Sequence, residues 1–156
     1  MIIVTQKKAG FTLVELMIVI AIMAILAGIA APNFQTYMAQ RRLNGAARQV
    51  MTDLMAARMK ACSLNQSVKV FFYSDHQYKI CDDANNDTTV DDGEGDVQLR
   101  DIQTEYFDVE FDSSNPPDPI FSSRGTASLV TITLNLTDFS GSKSITTNIT
   151  GRVKIN

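Results

Sequence analysis

One apolar stretch near the start of the chain constrains the fold more than any other feature. Between Phe11 and Ala31, every residue is apolar, alanine or glycine except Thr12 and Glu15. About 20 such residues in an α-helix rise about 30 Å, the thickness of a bilayer core. Two lysines at positions 7 and 8 precede the stretch, and by the positive-inside rule they hold the N-terminus in the cytoplasm. We therefore expect the C-terminal domain to be sent across the membrane.

Three interpretations of this stretch compete. A cleaved secretory signal has an apolar core of only about 7–15 residues, whereas this stretch is longer and contains Glu15. A plain membrane anchor fits the length but leaves Glu15 unexplained, because a carboxylate in a membrane helix costs about 2.5–3.5 kcal/mol. The third interpretation is a chain cut between Gly10 and Phe11. The free amino group of Phe11 then lies about one turn from Glu15 and pairs with the Glu15 carboxylate of a neighbouring helix.

The sequence around this cut resembles the type IV prepilin family. That family has a short basic leader ending in glycine, followed by Phe-Thr-Leu-x-Glu-Leu, and this chain has Gly10-Phe-Thr-Leu-Val-Glu-Leu16. The resemblance extends to Pro32, which in the family kinks the helix or lets it melt. It implies cleavage after Gly10 by a prepilin peptidase, N-methylation of Phe11 and assembly into a filament, with Phe11, Glu15 and Pro32 as the assembly residues.

The resemblance also implies the partners and the location of the chain. The expected partners are other pilins or pseudopilins, the prepilin peptidase/methyltransferase, an inner-membrane assembly platform, and the lipid bilayer before assembly. The chain would cross the inner membrane once, with its C-terminal domain in the periplasm, and then enter a periplasmic or extracellular filament. We expect no enzymatic activity, because the sequence contains no nucleophile elbow, phosphate loop or zinc motif.

An amphipathic helix pattern continues after Pro32. Apolar residues recur at steps of three and four, at Leu43, Ala47, Val50, Met51, Leu54, Ala57 and Ala61. Such a face packs on a sheet, so the chain is predicted to have an α+β, type IV pilin-like fold with a long N-terminal helix on an antiparallel β-sheet domain. The predicted organisation is a leader at 1–10, a transmembrane or filament-core helix half at 11–31, an amphipathic half at 32–62 and a β-rich domain at 63–156.

Alternating apolar residues predict the strands of that domain. The segments 68–73, 78–81, 107–111, 132–136 and 151–155 read as strands. In the third segment, Phe107, Val109 and Phe111 alternate with Asp108 and Glu110, as in a half-buried strand.

The order of several short motifs resembles the GspH/FimT branch of the family, the minor pseudopilins and minor pilins. These motifs are residues 44–49 leading to Ala56-Ala57-Arg58, residues 121–127 (Phe-Ser-Ser-Arg-Gly-Thr-Ala) and Gly151-Arg152-Val153. The resemblance implies a minor subunit that acts in initiation or at the tip of the filament. The sequence leaves open whether that filament is a type IV pilus or part of a type II secretion system.

An acidic segment matches most of the spacing of an EF-hand loop. That loop takes oxygen ligands from positions 1, 3, 5, 7, 9 and 12, which here are Asp83, Asn85, Asp87, the backbone of Thr89, Asp91 and Glu94. Position 6 is Thr88 instead of glycine, and the flanking segments look like strands. Calcium binding and a solvated acidic loop are both open interpretations.

The two cysteines also leave two interpretations open. An exported domain permits a disulfide between Cys62, at the end of a helix, and Cys81, at the end of a strand. The alternative is two separate thiols, each filling a gap in the core.

The alternative function is DNA uptake by a filament-borne, DNA-binding minor pilin. Arg152 and Lys154 could contact phosphates together with a basic helix face. FimT-like pilins have a basic Gly-Arg-x-Arg tail associated with DNA uptake, but here the last position is Lys154. The net charge of −3 also gives no general indication of nucleic-acid binding.

Overall fold

The computed structural model describes residues 11–85, 87, 89–112 and 116–156. Gly10 of the predicted cleavage site and Thr88 of the acidic loop lie outside the described residues. Internal contacts divide the chain into two units, with the division between Tyr37 and Met38.

Helix α1 runs from Leu13 to Leu64 and has defined signals at both ends. The hydroxyl of Thr12 accepts a hydrogen bond from the backbone N–H of Glu15 at 3.2 Å, as an N-cap does. At the other end, Asn65 has a φ of 55° and the N–H of Gln66 donates to the carbonyl of Ala61. This is the bond of a Schellman motif, in which asparagine tolerates the left-handed conformation. The predicted helix end at residue 62 is therefore two residues short.

Helix α1 continues through Pro32. Proline removes one backbone donor, and nearby side chains add hydrogen bonds to the carbonyls of this region. The amide of Asn33 donates to the carbonyl of Ile29 at 3.4 Å, and the hydroxyl of Thr36 donates to that of Pro32 at 3.2 Å. The helix therefore does not melt at this proline.

Two antiparallel four-stranded sheets follow α1, which confirms the predicted fold class. In the first sheet the order is β3-β2-β1-β5, with β1 at Val68–Phe72, β2 at Gln77–Asp82, β3 at Gln98–Asp101 and β5 at Ile120–Phe121. In the second the order is β4-β6-β7-β8, with β4 at Val109–Phe111, β6 at Val130–Leu136, β7 at Ser142–Thr147 and β8 at Val153–Ile155.

A continuous hydrophobic core joins α1 from Ala39 onward to both sheets. Of the seven predicted core positions on the helix, Met51 is half-buried and the other six are buried. Phe72 of β1 and Phe111 of β4 meet edge to face, with ring centroids 4.9 Å apart, and so connect the two sheets. The predicted apolar face of the helix is thereby confirmed.

The prediction of a strand over 107–111 is wrong at its first two residues. Strand β4 begins at Val109, and Phe107 is 69% exposed whereas Asp108 is 3% exposed. The physical reason is an ion pair, because both oxygens of Asp108 accept hydrogen bonds from Arg42 at 2.7 Å. A carboxylate with such a partner can be buried, and the aromatic ring is turned outward instead.

The two cysteines are free thiols. Cys62 is exposed on α1 near Gly125, whereas Cys81 is buried in β2. The disulfide interpretation is therefore wrong for this structure, and only Cys81 fills the core.

Candidate assembly surface

The described residues of the first unit present an exposed apolar helical surface. All described residues from Phe11 to Tyr37 are exposed. An 18-residue window in α1 has a mean hydropathy of 2.7 and is 0% buried, so the helix is long and apolar enough to cross a membrane. An exposed apolar surface of this extent is expected to be covered by lipid or by other protein.

Glu15 is the acidic residue in the first turn of this apolar helix. Its backbone N–H is satisfied by Thr12, and its carboxylate is near the positive end of the helix dipole. That dipole interaction contributes only about 0.3–1 kcal/mol, less than the 2.5–3.5 kcal/mol cost of a carboxylate in an apolar membrane environment. Within the described part of the chain, no basic side chain forms an ion pair with Glu15. When this helix is buried in apolar surroundings, the described residues therefore supply no cation that offsets the cost of the Glu15 carboxylate.

Basic side chains on the predicted basic face of α1 form ion pairs within the second unit. Arg42 pairs with Asp108, and Lys60 lies 2.8 Å from Asp82 and 3.2 Å from Asp96. Burial alone would lower the pKa of Lys60, but its hydrogen bonds to the two carboxylates raise it overall. These cations therefore bind the helix to its own domain.

Arg58 contacts two of the loops whose sequences resembled the GspH/FimT branch, those at Gly125 and at residues 150–151. Its Nε donates to the carbonyl of Gly125 at 2.9 Å, and its Nη2 donates to that of Thr150 at 3.3 Å. A Cβ on Gly151 would lie 1.9 Å from the Gly125 oxygen, so the two loops approach too closely for a side chain. Gly125 and Gly151 both have positive φ angles, of 78° and 74°. The motifs that contain Arg58, Gly125 and Gly151 are therefore parts of one junction at the C-terminal part of α1.

Arg152 and Lys154 lie together at the edge strand β8. Both are exposed, and with Thr146, Asn148 and Asn156 they line a polar depression of about 280 Å³. Lys154 is opposite Thr146 on β7, and the N–H of Arg152 donates to the side chain of Asn148 at 2.8 Å. This arrangement brings the two predicted residues together, but phosphate binding there stays a prediction.

The acidic loop uses its carboxylates to bind its own backbone. One oxygen of Glu94 accepts from the N–H of Asn85 at 2.9 Å, and the other accepts from that of Asp91 at 3.1 Å. The hydroxyl and the N–H of Thr89 both donate to Asp87, which lowers the pKa of Asp87. Among the residues that the structure describes, no group of three or more His, Cys, Asp or Glu side chains is arranged to hold a metal ion. Calcium binding by this loop stays a prediction, which calcium titration of the chain and of Asp87→Ala would test.

A groove beside α1 was not predicted from the sequence. It has a volume of about 630 Å³ and is lined by Met55, Arg58, Met59, Cys62, Ser63, Arg124 and Gly125. Met55 and Met59 are 41% and 67% exposed, so they do not fill the core as methionines usually do. The only sequence signal for this groove is the spacing of four residues between the two methionines, which places them on one helix face.

Two family models match consecutive parts of the chain. The prokaryotic N-terminal methylation motif matches residues 5–31. The model of type II transport protein GspH matches residues 46–151, which is more than half of the chain.

Similar proteins include bacterial fimbrial proteins. A fimbrial protein of Pseudomonas aeruginosa is 37% identical over 95 residues, which cover 61% of this chain and 60% of that protein. Fimbrial protein EcpB of Eikenella corrodens is 60% identical over 38 residues, or 24% of each chain. A crystal structure of the type IV minor pilin FimU of Pseudomonas aeruginosa has a TM-score of 0.57 at 14% identity, covering 77% of this chain and 92% of that one. This likeness shows the fold. The matched segment spans only 60% of the first relative, and nothing in these similarities supports DNA uptake.

Proposed function

Because this chain belongs to the GspH family of type II transport proteins, we propose that it is a minor pilin or pseudopilin subunit that joins a filament through α1. The filament belongs to a type IV pilus or a type II secretion system. The observation that carries the proposal is the exposed, mostly apolar segment from Phe11 to Tyr37, which is helical from Leu13 onward and carries a carboxylate at Glu15. The chain acts as a structural subunit, and we assign no catalytic role to it.

The proposed mechanism starts in the membrane. Before assembly, the apolar part of α1 spans the inner membrane, and residues 38–156 lie in the periplasm. A prepilin peptidase/methyltransferase cuts after Gly10 and methylates Phe11. The methylated amine remains cationic, so it can still pair with a carboxylate.

Pairing then sets the register of the subunit in the filament. The cationic amine of one subunit meets Glu15 of its neighbour within an apolar helix bundle, where a lone charge of either sign is costly. A helix displaced by one turn, about 5.4 Å, leaves both charges unpaired. Apolar packing along α1 supplies the attraction, and the charge pair supplies the register.

Mass spectrometry of the mature N-terminus tests this proposal. The full-length chain is recovered from the membrane and sheared-filament fractions of cells with and without prepilin peptidase. We expect a methylated Phe11 N-terminus and filament incorporation only in cells with the peptidase. A chain that retains residues 1–10 and stays in the membrane fraction of peptidase-positive, filament-producing cells would contradict the proposal.

A further inference from the structure

A stripe of exposed residues runs along the second half of α1, and we name it the outer stripe. Its members recur at steps of three and four residues and are all exposed: Arg41, Asn44, Arg48, Thr52, Met55, Met59 and Cys62. Six steps lead from position 41 to position 62, an average of 3.5 residues per step. That spacing is the one at which two helices pack side by side over several turns, with a left-handed crossing of about 20°. The outer stripe therefore has the geometry of a helix-packing face.

The first half of the outer stripe is cationic. Arg41 and Arg48 are seven residues apart, which places them two turns apart on the same side of the helix. Neither forms an ion pair with a described residue. No member of the stripe is acidic, and the nearby carboxylate of Asp53 accepts a hydrogen bond from Tyr78 instead. This half of the stripe therefore suits a partner that carries carboxylates.

The second half of the outer stripe is apolar and forms one wall of the groove of about 630 Å³. Met55, Met59 and Cys62 line that wall, and the loop with Arg124 and Gly125 lines the groove opposite them. Thioether side chains adapt their shape to apolar groups of a partner. Arg124 is exposed and has no ion pair among the described residues. The groove therefore suits an apolar side chain with a carboxylate beside it.

We propose that the outer stripe docks against the helix of a different pilin subunit. The facing side of that helix carries carboxylates opposite Arg41 and Arg48 and apolar side chains opposite the groove. The proposal rests on the proposed function, because insertion into one membrane holds both helices side by side and raises the effective concentration of each near the other. Complementary charge then selects the partner and sets its register along α1.

Charge and apolar area together select this occupant over two others. A second copy packed through the same stripe would place its Arg41 and Arg48 against those of the first, and like charges oppose such a contact. A nucleic acid would pair with the arginines but would leave Met55 and Met59, which are 41% and 67% exposed, without apolar cover. The net charge of −3 also repels a polyanion. A partner other than this chain agrees with the role of a minor subunit.

Site-directed photo-cross-linking in filament-producing cells tests the proposal. A benzophenone amino acid replaces Thr52, at the centre of the outer stripe, in the full-length chain. The matched control probe replaces Thr131, an exposed threonine of β6. We expect the probe at Thr52 to couple to a different subunit that begins with a methylated phenylalanine, within a helical peptide that carries Asp or Glu. The probe at Thr131 is expected to give background coupling only.

Charge reversal makes the test specific. Arg41→Glu combined with Arg48→Glu is expected to reduce the product at least about fivefold, because two exposed ion pairs become like-charge repulsions. Replacement of the partner's cross-linked carboxylates by arginine is expected to restore it. Both arginines are exposed, so thermal unfolding of the doubly substituted chain should match that of the native chain. Arg41→Gln combined with Arg48→Gln, which adds no repulsion, is expected to give a smaller loss of product.

Several outcomes would overturn the proposal. These are coupling of the Thr52 probe to a second copy, to nucleic acid or to lipid, equal coupling at Thr131, no product, or a product that charge reversal leaves unchanged. The N-terminus at Phe11 and recovery in sheared filaments are measured in the same cells. An unprocessed chain rejects the proposed function, whereas a processed chain in filaments without the Thr52 product rejects the outer-stripe contact alone.

Discussion

The guanidinium of Arg58 donates to the carbonyl oxygen of Gly125 at 2.9 Å and thereby fixes a loop of the sheet domain to α1. A second donor of the same group reaches Thr150 at 3.3 Å. A planar guanidinium presents these two donors in a fixed geometry, which the single ammonium of lysine does not reproduce.

Replacement of Arg58 should weaken the domain without changing its core. Arg58→Met keeps most of the apolar stem but loses both charged hydrogen bonds, so we expect the free energy of unfolding to fall by about 1.5–3 kcal/mol. Denaturant unfolding of the full-length chain in detergent measures this. Arg48→Met, at an exposed position of the same helix, is the control and should change stability by less than about 0.5 kcal/mol. Equal effects of the two variants would show that the Arg58 bonds do not stabilise the fold.

Gly151 should tolerate no side chain, because a Cβ there would clash with a neighbouring loop. Gly93 also has a positive φ but has open space around it, so it serves as the control for backbone strain alone. Gly151 and Gly93 have φ angles of 74° and 90°, but a Cβ would lie 1.9 Å from the Gly125 oxygen at the first and would meet nothing within 4 Å at the second. Gly93→Ala should cost about 1–3 kcal/mol from strain, and Gly151→Ala should cost clearly more. Thermal unfolding of both variants tests this, and similar losses would mean that the loop yields to the side chain.

The ion pair between Arg42 and Asp108 should respond unequally to the loss of each partner. The Asp108 side chain is 2% exposed and that of Arg42 is 23% exposed. Arg42→Ala leaves a buried carboxylate without its cation and should cost about 3–5 kcal/mol. Asp108→Ala leaves a guanidinium that water can reach, so the loss should be smaller, about 1–3 kcal/mol. Chemical denaturation of the two variants at pH 7 decides this, and the reverse order would contradict the burial of Asp108.

Stability should fall at alkaline pH through Tyr78. Burial raises the pKa of the Tyr78 phenol, and a 2.6 Å hydrogen bond from its hydroxyl to Asp53 raises it further. Since the folded pKa exceeds the unfolded value of about 10, the contribution is complete below pH 10 and is lost as the unfolded chain ionises above it. Unfolding measured from pH 8 to pH 11 should show a steeper decline for the native chain than for Tyr78→Phe. Parallel profiles would show that this phenol does not ionise preferentially in the unfolded chain.

Local sequence patterns predicted those helices and strands in which buried and exposed residues alternate with the period of the element. The apolar face of α1 from Leu43 to Ala61 and the alternation over 132–136 were sufficient to predict a core helix and strand β6, because burial there follows the period of the element. The third strand, β3, was missed because its burial does not alternate and half of its residues are exposed. The division into two sheets depends on pairing between distant segments, which local periodicity does not encode.

The errors at the site arose from tertiary contacts. Asp108 can be buried because Arg42 donates hydrogen bonds to its carboxylate. The two residues are 66 positions apart in the sequence, so no local pattern indicates this pair. The basic stretch of α1 indicated a surface for anions, but Lys60 is paired with acidic residues of its own domain. Met55 and Met59 lie four residues apart on one helix face, but their exposure beside Arg124 became visible only once the loop was placed.

Incorporation of Glu15→Gln into filaments tests the central claim most directly. The variant and an Asp138→Asn control, which removes an exposed carboxylate from the β6–β7 turn, are expressed at the native level in cells that assemble filaments. Sheared filaments and membranes are then quantified for subunits that begin with Phe11. We predict that Glu15→Gln is processed but is reduced at least about tenfold in filaments, since an unpaired charge in an apolar bundle costs about 2.5–3.5 kcal/mol, while Asp138→Asn assembles normally. Incorporation of Glu15→Gln at the native level would contradict the account.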